Sequence, residues 1–298
     1  MPLITVFTPT YNRAYCLHQC YESLKRQTSK DFLWLIIDDG STDDTQELVS
    51  KWIEQTSDFE IRYVYKENGG LHTGYNAAIE RLDTELAVCV DSDDYLTDDA
   101  IETIREFWNN NNDGKVAGIA ALDGDPQGKV IGDPFPEQRT INLIDLQIGK
   151  YKLDNGDRKL VIRSDLYKSV APQMTFPGEK NFNPHYMHLQ ISRNHDFLVM
   201  NKVLCIVEYQ TNGMTNGIFR QYYNSPRSFA QIRRLHLSFE NAGLAFRFRQ
   251  CVHYVSSSIL AGDKAFIKTS PAKLLTVLAI PFGLLLSIVV RYKATRKG

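Results

Sequence analysis

The sequence has few of the features that mark zinc-binding, exported or nucleic-acid-binding proteins. Its five cysteines are scattered and include no C-x-x-C pair, which argues against a zinc ribbon or redox motif and favours reduced thiols. The first residues lack the basic start and apolar stretch of a signal peptide, so we expect a cytoplasmic protein. A formal net charge of -1 over 298 residues gives no general attraction to nucleic acid, and we predict no such partner.

Two common phosphate-binding motifs and one calcium motif are also absent. There is no G-x-x-x-x-G-K-[ST] loop, and Gly69, Gly70 and Gly74 do not fit the G-x-G-x-x-G pattern of dinucleotide sites. An EF-hand loop starting at Asp91 is disfavoured because Leu96 stands where that loop needs glycine. Any nucleotide site in this chain must therefore use other residues.

Short apolar runs alternate with helical patterns over the first 120 residues. This alternation predicts an α/β fold with a doubly wound, mostly parallel sheet and flanking helices. Several runs are apolar throughout, as strands covered on both faces are. Ser41 and Asp44 form a capping pattern that predicts a helix start. The predicted strands are 3–7, 33–37, 61–65, 86–90, 116–121, 160–163 and 203–209, with a loop or hairpin at 122–140 and helices near 222–240 and 244–261.

An uncharged apolar run occupies residues 274–290, and basic residues flank it on both sides. As a helix it would span about 26 Å, which is short for crossing a hydrocarbon core of about 30 Å. A crossing helix would also place the basic tail outside the cell, against the positive-inside tendency. We therefore predict a helix in the cytoplasmic leaflet with its cations on anionic headgroups, and a buried core helix is the alternative.

Polar, acidic and glycine-rich segments follow the first four predicted strands. Because ligands of open α/β sheets bind outside the carboxyl ends of the strands, we expect these segments to share one crevice. In the last of them, Asp91, Asp93 and Asp94 repel one another, which predicts a compensating cation. The segments read TPTYNR (8–13), DDGSTDDT (38–45), KENGGLHTGYN (66–76) and DSDDY (91–95).

This ordered set, which spans residues 3–96, resembles the family 2 glycosyltransferases of the GT-A fold. The resemblance covers the first 120 residues closely and the rest only loosely. The resemblance implies transfer of a sugar from a nucleotide-diphosphate sugar to an acceptor hydroxyl, with inversion, in cell-envelope polysaccharide synthesis. It also implies a glycan or lipid-linked glycan acceptor at the cytoplasmic membrane leaflet. The expected domains are a GT-A domain (1–212), a helical extension (213–270) and a membrane-associating tail (271–298).

The resemblance also implies roles for single residues. Asp91 and Asp93 would form a D-x-D element, with Asp93 on a Mn²⁺ or Mg²⁺ ion and Asp91 toward the ribose or the metal waters. Such an ion neutralises the charge that grows on a departing nucleoside diphosphate. His72 is given either a nucleotide contact or a packing role. The residues implied for the nucleotide pocket are Thr8, Tyr11, Arg13, Asp38, Asp39, Asn68, Gly70 and His72, together with Asp91.

The general base is left open by the sequence. Similar chains often read F-P-G-E-K-F-x-P-E, whereas this one reads FPGEKNFNPHYMH (176–188), with His185 in place of the final acid. His185 and Glu179 are both candidates, and the alternative is that each is a surface residue or a helix cap. Leu71 also replaces a frequent lysine. A non-catalytic sugar or nucleotide binder therefore stays an alternative, as does a sugar-nucleotide pyrophosphorylase, which would need a glycine-rich loop after the first strand.

Overall fold

The computed structural model describes residues 2–153, 156–208 and 217–296, and these form two compact units. The described part of the first unit lies within 2–69, 73–173 and 187–208, and that of the second within 70–72, 174–186 and 217–296.

One mixed sheet forms the centre of the first unit. Its strands are β1 (Ile4–Thr10), β2 (Phe32–Asp38), β3 (Glu60–Tyr65), β4 (Leu86–Cys89), β5 (Tyr95–Leu96), β6 (Gly118–Gly124), β7 (Thr140–Ile141), β8 (Arg158–Arg163) and β9 (Phe197–Ile206). The order is β3-β2-β1-β4-β8-β6-β9-β5, and β7 pairs with β9. The four strands β3, β2, β1 and β4 are parallel, while β8 runs antiparallel to both β4 and β6. The predicted α/β class with parallel winding is confirmed.

Helices connect the strands in the first two thirds of the chain. They are α1 (Leu17–Arg26), α2 (Thr45–Gln55), α3 (Leu71–Glu80), α4 (Ala100–Asn111), α5 (Leu143–Gln147), α6 (Ser164–Val170) and α7 (His185–Ile191). The inner parallel strands β1, β2 and β4 are largely buried, as expected for strands covered by helices on both faces, whereas the edge strand β3 is partly exposed. All seven residues of β2, for example, are buried, and Trp34 packs with Tyr21 of α1 and Trp52 of α2.

The chain reverses its winding direction between β1 and β4. From β1 it proceeds through β2 to β3 on one side, and then returns to place β4 on the other side of β1. In open α/β sheets the ligand crevice lies outside the carboxyl ends of the strands at such a reversal. The fold therefore predicts a ligand crevice between the segments that follow Thr10 and Cys89.

Two local predictions differ from the structure. The predicted cap at Ser41 is wrong, because α2 begins at Thr45 and the Ser41 hydroxyl instead accepts a hydrogen bond from the Asn12 N–H at 2.8 Å. Strand β9 begins at Phe197 rather than at residue 203, because its first residues pair with β6 and β7. Tyr209, the predicted end of that strand, lies outside the described residues. The other predicted strands are confirmed within three residues at each end.

The second unit is helical. Its helices are α8 (Ile218–Asn224), α9 (Pro226–Leu237), α10 (Leu244–Leu260), α11 (Phe266–Thr269) and α12 (Lys273–Thr295). Helices α10 and α12 pack closely at Gly283, where an added Cβ would lie 2.5 Å from the Val255 Cβ. Only glycine permits this approach of the two backbones.

Helix α12 confirms the predicted apolar helix at the end of the chain. In the described part of the chain it is the one helix long and apolar enough to cross a membrane, judged by length and composition alone. Its buried residues are mostly small, whereas most of its large apolar residues are exposed; Leu275 and Ile280 are partly buried. The buried residues are Thr276, Ala279, Gly283, Ser287 and Val290, and the exposed ones include Leu274, Leu278, Phe282, Leu285 and Ile288.

Candidate active site

The acidic segment after β4 is a tight turn. The strand ends at Cys89, the backbone N–H of Asp94 donates to the carbonyl of Asp91 at 3.0 Å, and β5 begins at Tyr95. Asp94 is buried, Asp93 is partly buried and Asp91 keeps an exposed surface. The turn therefore presents Asp91 and Asp93 to solvent while Asp94 points into the protein.

A buried lysine supplies part of the positive charge that compensates the acidic run. Lys159 of β8 lies 3.8 Å from Asp123 of β6 and donates to the carbonyl of Cys89 at 3.4 Å. Although burial lowers its pKa, the charges of Asp123, Asp94 and Asp91 hold the pKa well above its ordinary value. Lys159 thus stays charged among these carboxylates.

Sequence reasoning missed Lys159, although a signal was present. Lys159 and Val161 lie on the same face of β8 because side chains alternate along a strand. Val161 is apolar in the sequence and fully buried in the structure, so a lysine on the same face is expected to meet a carboxylate or another acceptor inside the protein.

The carboxylates around Lys159 remain short of positive charge. Burial raises the pKa of Asp94 to about 8, with Lys159 opposing the shift and Asp91 and Asp93 adding to it. Burial likewise raises the pKa of Asp123 to about 6, and the Asp123 Oδ1 atom has no hydrogen-bond donor in the described structure. Desolvation also raises the pKa of Asp91, with the charge of Lys159 opposing the shift and that of Asp93 adding to it. The single charge of Lys159 therefore does not neutralise the three carboxylates of Asp91, Asp94 and Asp123.

Arg13 joins the segment after β1 to the segment after β4. Its Nη1 atom lies 3.5 Å from the Asp93 Oδ2 atom, and it donates to the Tyr15 hydroxyl. This contact spans the winding reversal of the sheet, where the fold places a ligand crevice. Tyr11, two residues before Arg13, is 48% exposed, so its ring is available to a ligand.

Asp38 and Asp39 organise the segments after β2 and β3. Asp38 accepts from the Ser41 N–H at 2.7 Å and from the Tyr63 hydroxyl at 2.5 Å. Asp39 accepts from Lys66, from the Gly69 N–H at 3.0 Å and from the Asn68 amide at 3.2 Å. The structure therefore brings three predicted residues, Asp38, Asp39 and Asn68, to one edge of the sheet. It shows them positioning loops, and their contact with a nucleotide stays a prediction.

Asn12 ties the same edge together and was missed in the sequence. Its backbone is left-handed, with φ of 52°, and its side-chain oxygen accepts from the Thr42 N–H at 2.8 Å. Asparagine tolerates this conformation better than most residues. The segments after β1 and β2 are therefore held to each other by Asn12, Ser41 and Thr42.

Thr8, which was also predicted to line the nucleotide pocket, does not point toward this edge of the sheet. It is fully buried, and its hydroxyl accepts a hydrogen bond from the Trp34 indole at 3.0 Å. The side chain therefore faces the core between the sheet and its helices. We leave Thr8 out of the proposed pocket for that reason.

Two further predicted residues, Gly70 and His72, belong to the second unit. Gly70 has a φ of +93°, and an added Cβ would lie 1.9 Å from the Lys180 carbonyl oxygen. The position thus requires glycine for both conformation and space. His72 is buried, with its ring centroid 6.3 Å from that of Phe182. The ring thus packs near Phe182, and its contact with a nucleotide stays a prediction.

Glu179 forms the cap of a helix distant in sequence. Its Oε1 atom accepts from the Arg227 N–H at 2.8 Å, and its Oε2 atom accepts from the N–H and hydroxyl of Ser228 at 2.8 and 2.7 Å. These donors belong to the first turn of α9, where a negative charge is favoured. Both oxygens are committed, so the helix-cap alternative describes Glu179.

His185 begins α7, and its backbone N–H donates to the Asn183 side chain at 2.8 Å. Burial lowers the pKa of the imidazole to about 4. The ring is therefore neutral at physiological pH.

The acidic turn fits a divalent metal whose coordination water and phosphate oxygens complete. Among the described residues, no three His, Cys, Asp or Glu side chains converge closely enough to enclose an ion by themselves. Mg²⁺ at phosphate sites usually needs only one or two carboxylates, because water and phosphate oxygens complete its coordination. Asp91 and Asp93, presented by a turn with uncompensated negative charge, suit that arrangement.

Comparison with known proteins identifies the class of protein. The family model for glycosyl transferase family 2 matches residues 5–165, more than half of the chain. The chain therefore belongs to glycosyl transferase family 2. Chondroitin synthase of Pasteurella multocida (strain Pm70) is 36% identical over 108 residues, which are 36% of this chain and 11% of that protein. The chain thus matches only a small part of this much longer relative.

Solved structures establish the fold over the whole chain. Staphylococcus aureus TarS 1–349 in complex with UDP-GlcNAc superposes with a TM-score of 0.61 at 16% identity, covering 100% of this chain and 93% of that one. The mannosyltransferase PcManGT from Pyrobaculum calidifontis, in complex with GDP-Man and Mn²⁺, gives 0.59 at 18% identity, covering 99% and 83%. At these identities the likeness concerns the fold alone, which is GT-A.

Proposed function

We propose that the protein is an inverting glycosyltransferase that moves a sugar from a nucleotide-diphosphate sugar to an acceptor hydroxyl of a cell-envelope glycan. The observation that carries this proposal is the convergence of Arg13, Asp91 and Asp93 at the winding reversal of the sheet. The TarS structure named above contains UDP-GlcNAc and that of PcManGT contains GDP-Man with Mn²⁺, which supports this class of donor.

Each proposed donor residue has a chemical task. Tyr11 offers an exposed ring to the base, and Arg13 offers a guanidinium to the diphosphate. Asp38, Asp39 and Asn68 hold the loops that enclose the nucleoside. Asp91 and Asp93 would hold Mn²⁺ or Mg²⁺, which when bound stabilises the negative charge on the departing diphosphate. The corresponding domains are proposed as 1–212, 213–270 and 271–298.

We assign the general base to His185 rather than to Glu179. The Glu179 oxygens already accept three hydrogen bonds from the first turn of α9, and proton transfer to them would break that cap. His185 is neutral at working pH because burial lowers its pKa to about 4. In this proposal the acceptor hydroxyl passes its proton to the imidazole, which its low pKa makes a weaker base than a free imidazole.

Release of free nucleotide from a panel of nucleotide sugars, with Mn²⁺ and an acceptor glycan, tests this proposal. We expect one donor to be consumed by the wild-type protein, and His185→Gln to lower its turnover by about 100-fold while the donor still raises the melting temperature. Binding of a donor without turnover by the wild type would instead support the non-catalytic binding module.

Glu179→Gln is the matched control for the base assignment. It keeps the size of the side chain but weakens the cap of α9, so we expect a loss of about 1 kcal/mol in unfolding free energy. Turnover per folded molecule should fall less than tenfold. A loss as large as that of His185→Gln, with normal stability, would move the base to Glu179.

We also propose that α12 holds the protein at the cytoplasmic face of a membrane, beside a lipid-linked acceptor. Its large apolar residues are exposed while its small residues pack on α10, the reverse of a soluble surface helix. Exposed lysines and arginines at both ends suit anionic headgroups. A chain that ends at residue 270 is expected in the soluble fraction of disrupted cells, and unchanged membrane association would contradict this role.

A further inference from the structure

The second unit contains a cavity of about 360 Å³ that shares no residue with the proposed donor site. One wall is formed by α9, and the other by the end of α10 and the segment that leads to α12. This volume is in the range that accommodates a small ligand or a lipid headgroup. Its lining residues include Arg227, Gln231 and Arg234 on one side and Tyr254, Asp263 and Thr269 on the other.

The charges of this cavity favour an anion. Arg227 and Arg234 are exposed, and neither forms an ion pair within 4.0 Å of any described carboxylate. The single acid in the wall is Asp263, whose Oδ1 atom already accepts from the Ala265 N–H at 2.7 Å. Among the lining residues two guanidiniums face one carboxylate, and the nearby Glu179 carboxylate is already bonded to the first turn of α9. The concave site therefore keeps a positive excess, which attracts a negatively charged group.

The side chains that face the cavity are also positioned for recognition. Arg227, Gln231 and Arg234 follow one another at four- and three-residue spacing, so they lie on one side of α9. The Gln231 amide donates to the Tyr186 hydroxyl at 3.0 Å, which fixes the side chain between the arginines. Guanidinium groups bind phosphate oxygens with two parallel hydrogen bonds, a geometry that a lysine cannot offer.

The cavity lies next to the start of the exposed apolar helix. Thr269 lines it and ends α11, and α12 begins four residues later at Lys273. A ligand with a phosphate at one end and hydrocarbon at the other could contact the arginines and the apolar face of α12 together. We infer that this cavity binds the phosphate group of a membrane lipid or of a lipid-linked glycan.

Flotation of the full-length protein with lipid vesicles tests this inference without any transfer reaction. Vesicles of phosphatidylcholine alone are compared with vesicles that also contain phosphatidic acid, which presents a phosphomonoester, or phosphatidylglycerol, which presents a phosphodiester. We expect tightest binding to phosphatidic acid. The double variant Arg227→Gln with Arg234→Gln should lose at least about tenfold in affinity for those vesicles, because each lost charge-assisted contact weakens binding severalfold.

Arg249→Gln is the control, since Arg249 is an exposed arginine of α10 that does not line the cavity. Each single variant, Arg227→Gln or Arg234→Gln, should lose more affinity than Arg249→Gln at an unchanged melting temperature. Equal losses, or wild-type affinity in the double variant, would overturn the inference.

Competition with inorganic pyrophosphate shows whether the cavity recognises phosphate alone or phosphate carried by a lipid. Displacement of the wild-type protein from phosphatidic acid vesicles by pyrophosphate supports recognition of phosphate itself. Persistent binding that still depends on Arg227 and Arg234 supports recognition of the lipid-borne phosphate. Because donor turnover is not measured, failure here would leave the proposed transferase reaction untouched.

Discussion

Asp93→Asn is expected to lower sugar transfer by about 100-fold or more while leaving the fold intact. The side chain is partly exposed and contacts only Arg13 among the described ion pairs, so its loss costs little stability. Its proposed task is to hold the metal against the diphosphate, and loss of a single electrostatic contact to the developing charge typically costs this much. Free nucleotide released from the preferred donor in the presence of Mn²⁺ is the measurement.

Asp98→Asn provides the matched control for Asp93. Asp98 is an exposed aspartate five residues further along the chain, and it bonds Arg26 at 2.9 Å. We expect this variant to keep turnover within about twofold of wild type, as surface ion pairs contribute little. Near-normal transfer by Asp93→Asn, or by wild-type protein stripped of metal with EDTA, would refute the role given to the acidic turn.

Lys159→Met is expected to destabilise the first unit by about 3–5 kcal/mol in unfolding free energy. The change keeps much of the apolar side chain but removes the buried cation that faces Asp91, Asp94 and Asp123. Removing one partner of a buried charge pair leaves the others uncompensated, and this is more costly than losing a surface contact. The melting temperature and the denaturant midpoint are the measurements.

The cost of losing Lys159 should increase with pH. In the wild-type protein the pKa of Asp94 is raised to about 8 and that of Asp123 to about 6, from ordinary values near 4. Between the unfolded pKa near 4 and the folded pKa, each carboxyl group keeps its proton in the folded state but loses it in the unfolded state. The stability that each group contributes is therefore fully present below about pH 4 and is lost as the pH rises through its folded pKa. Without Lys159 the ionised carboxylates repel more strongly, so the deficit should be larger at pH 8 than at pH 5.

Lys202→Met is the control that shows whether the loss of stability in Lys159→Met is specific to the buried lysine. Lys202 lies on β9 and pairs with Asp99 at 2.7 Å, but both side chains are about half exposed. We expect a change of less than about 1 kcal/mol that does not increase between pH 5 and pH 8. A Lys159→Met protein as stable as Lys202→Met at pH 8 would show that the buried carboxylates do not need this cation.

The sequence predicted the sheet well because its signal is local. A fully apolar run such as that of β2 identifies a strand covered on both faces wherever it occurs in a chain. The four polar segments could likewise be placed together, since the carboxyl ends of parallel strands meet at one edge. The contact between Arg13 and Asp93 agrees with that expectation.

The predictions that failed or stayed open depend on partners that are distant in sequence. The Ser41 cap satisfied a local pattern, but the hydroxyl bonds Asn12, which is 29 residues away. Glu179 is a candidate base in the sequence, and the structure adds that its carboxylate caps the first turn of α9, 48 residues further along. Thr8 belongs to a polar motif, yet its hydroxyl bonds the Trp34 indole inside the core.

By itself, the sequence determined the α/β class, the order of the polar segments and the apolar character of the last helix. Each follows from periodicity or composition, which are properties of neighbouring residues. Only the tertiary structure decided which cation faces the acidic run, because Lys159 reaches the carbonyl of Cys89 across 70 residues of chain. It also decided that Glu179 is a cap, and that α12 turns its large apolar side chains outward. Such roles arise from packing, since a side chain's environment depends on which distant segments fold against it.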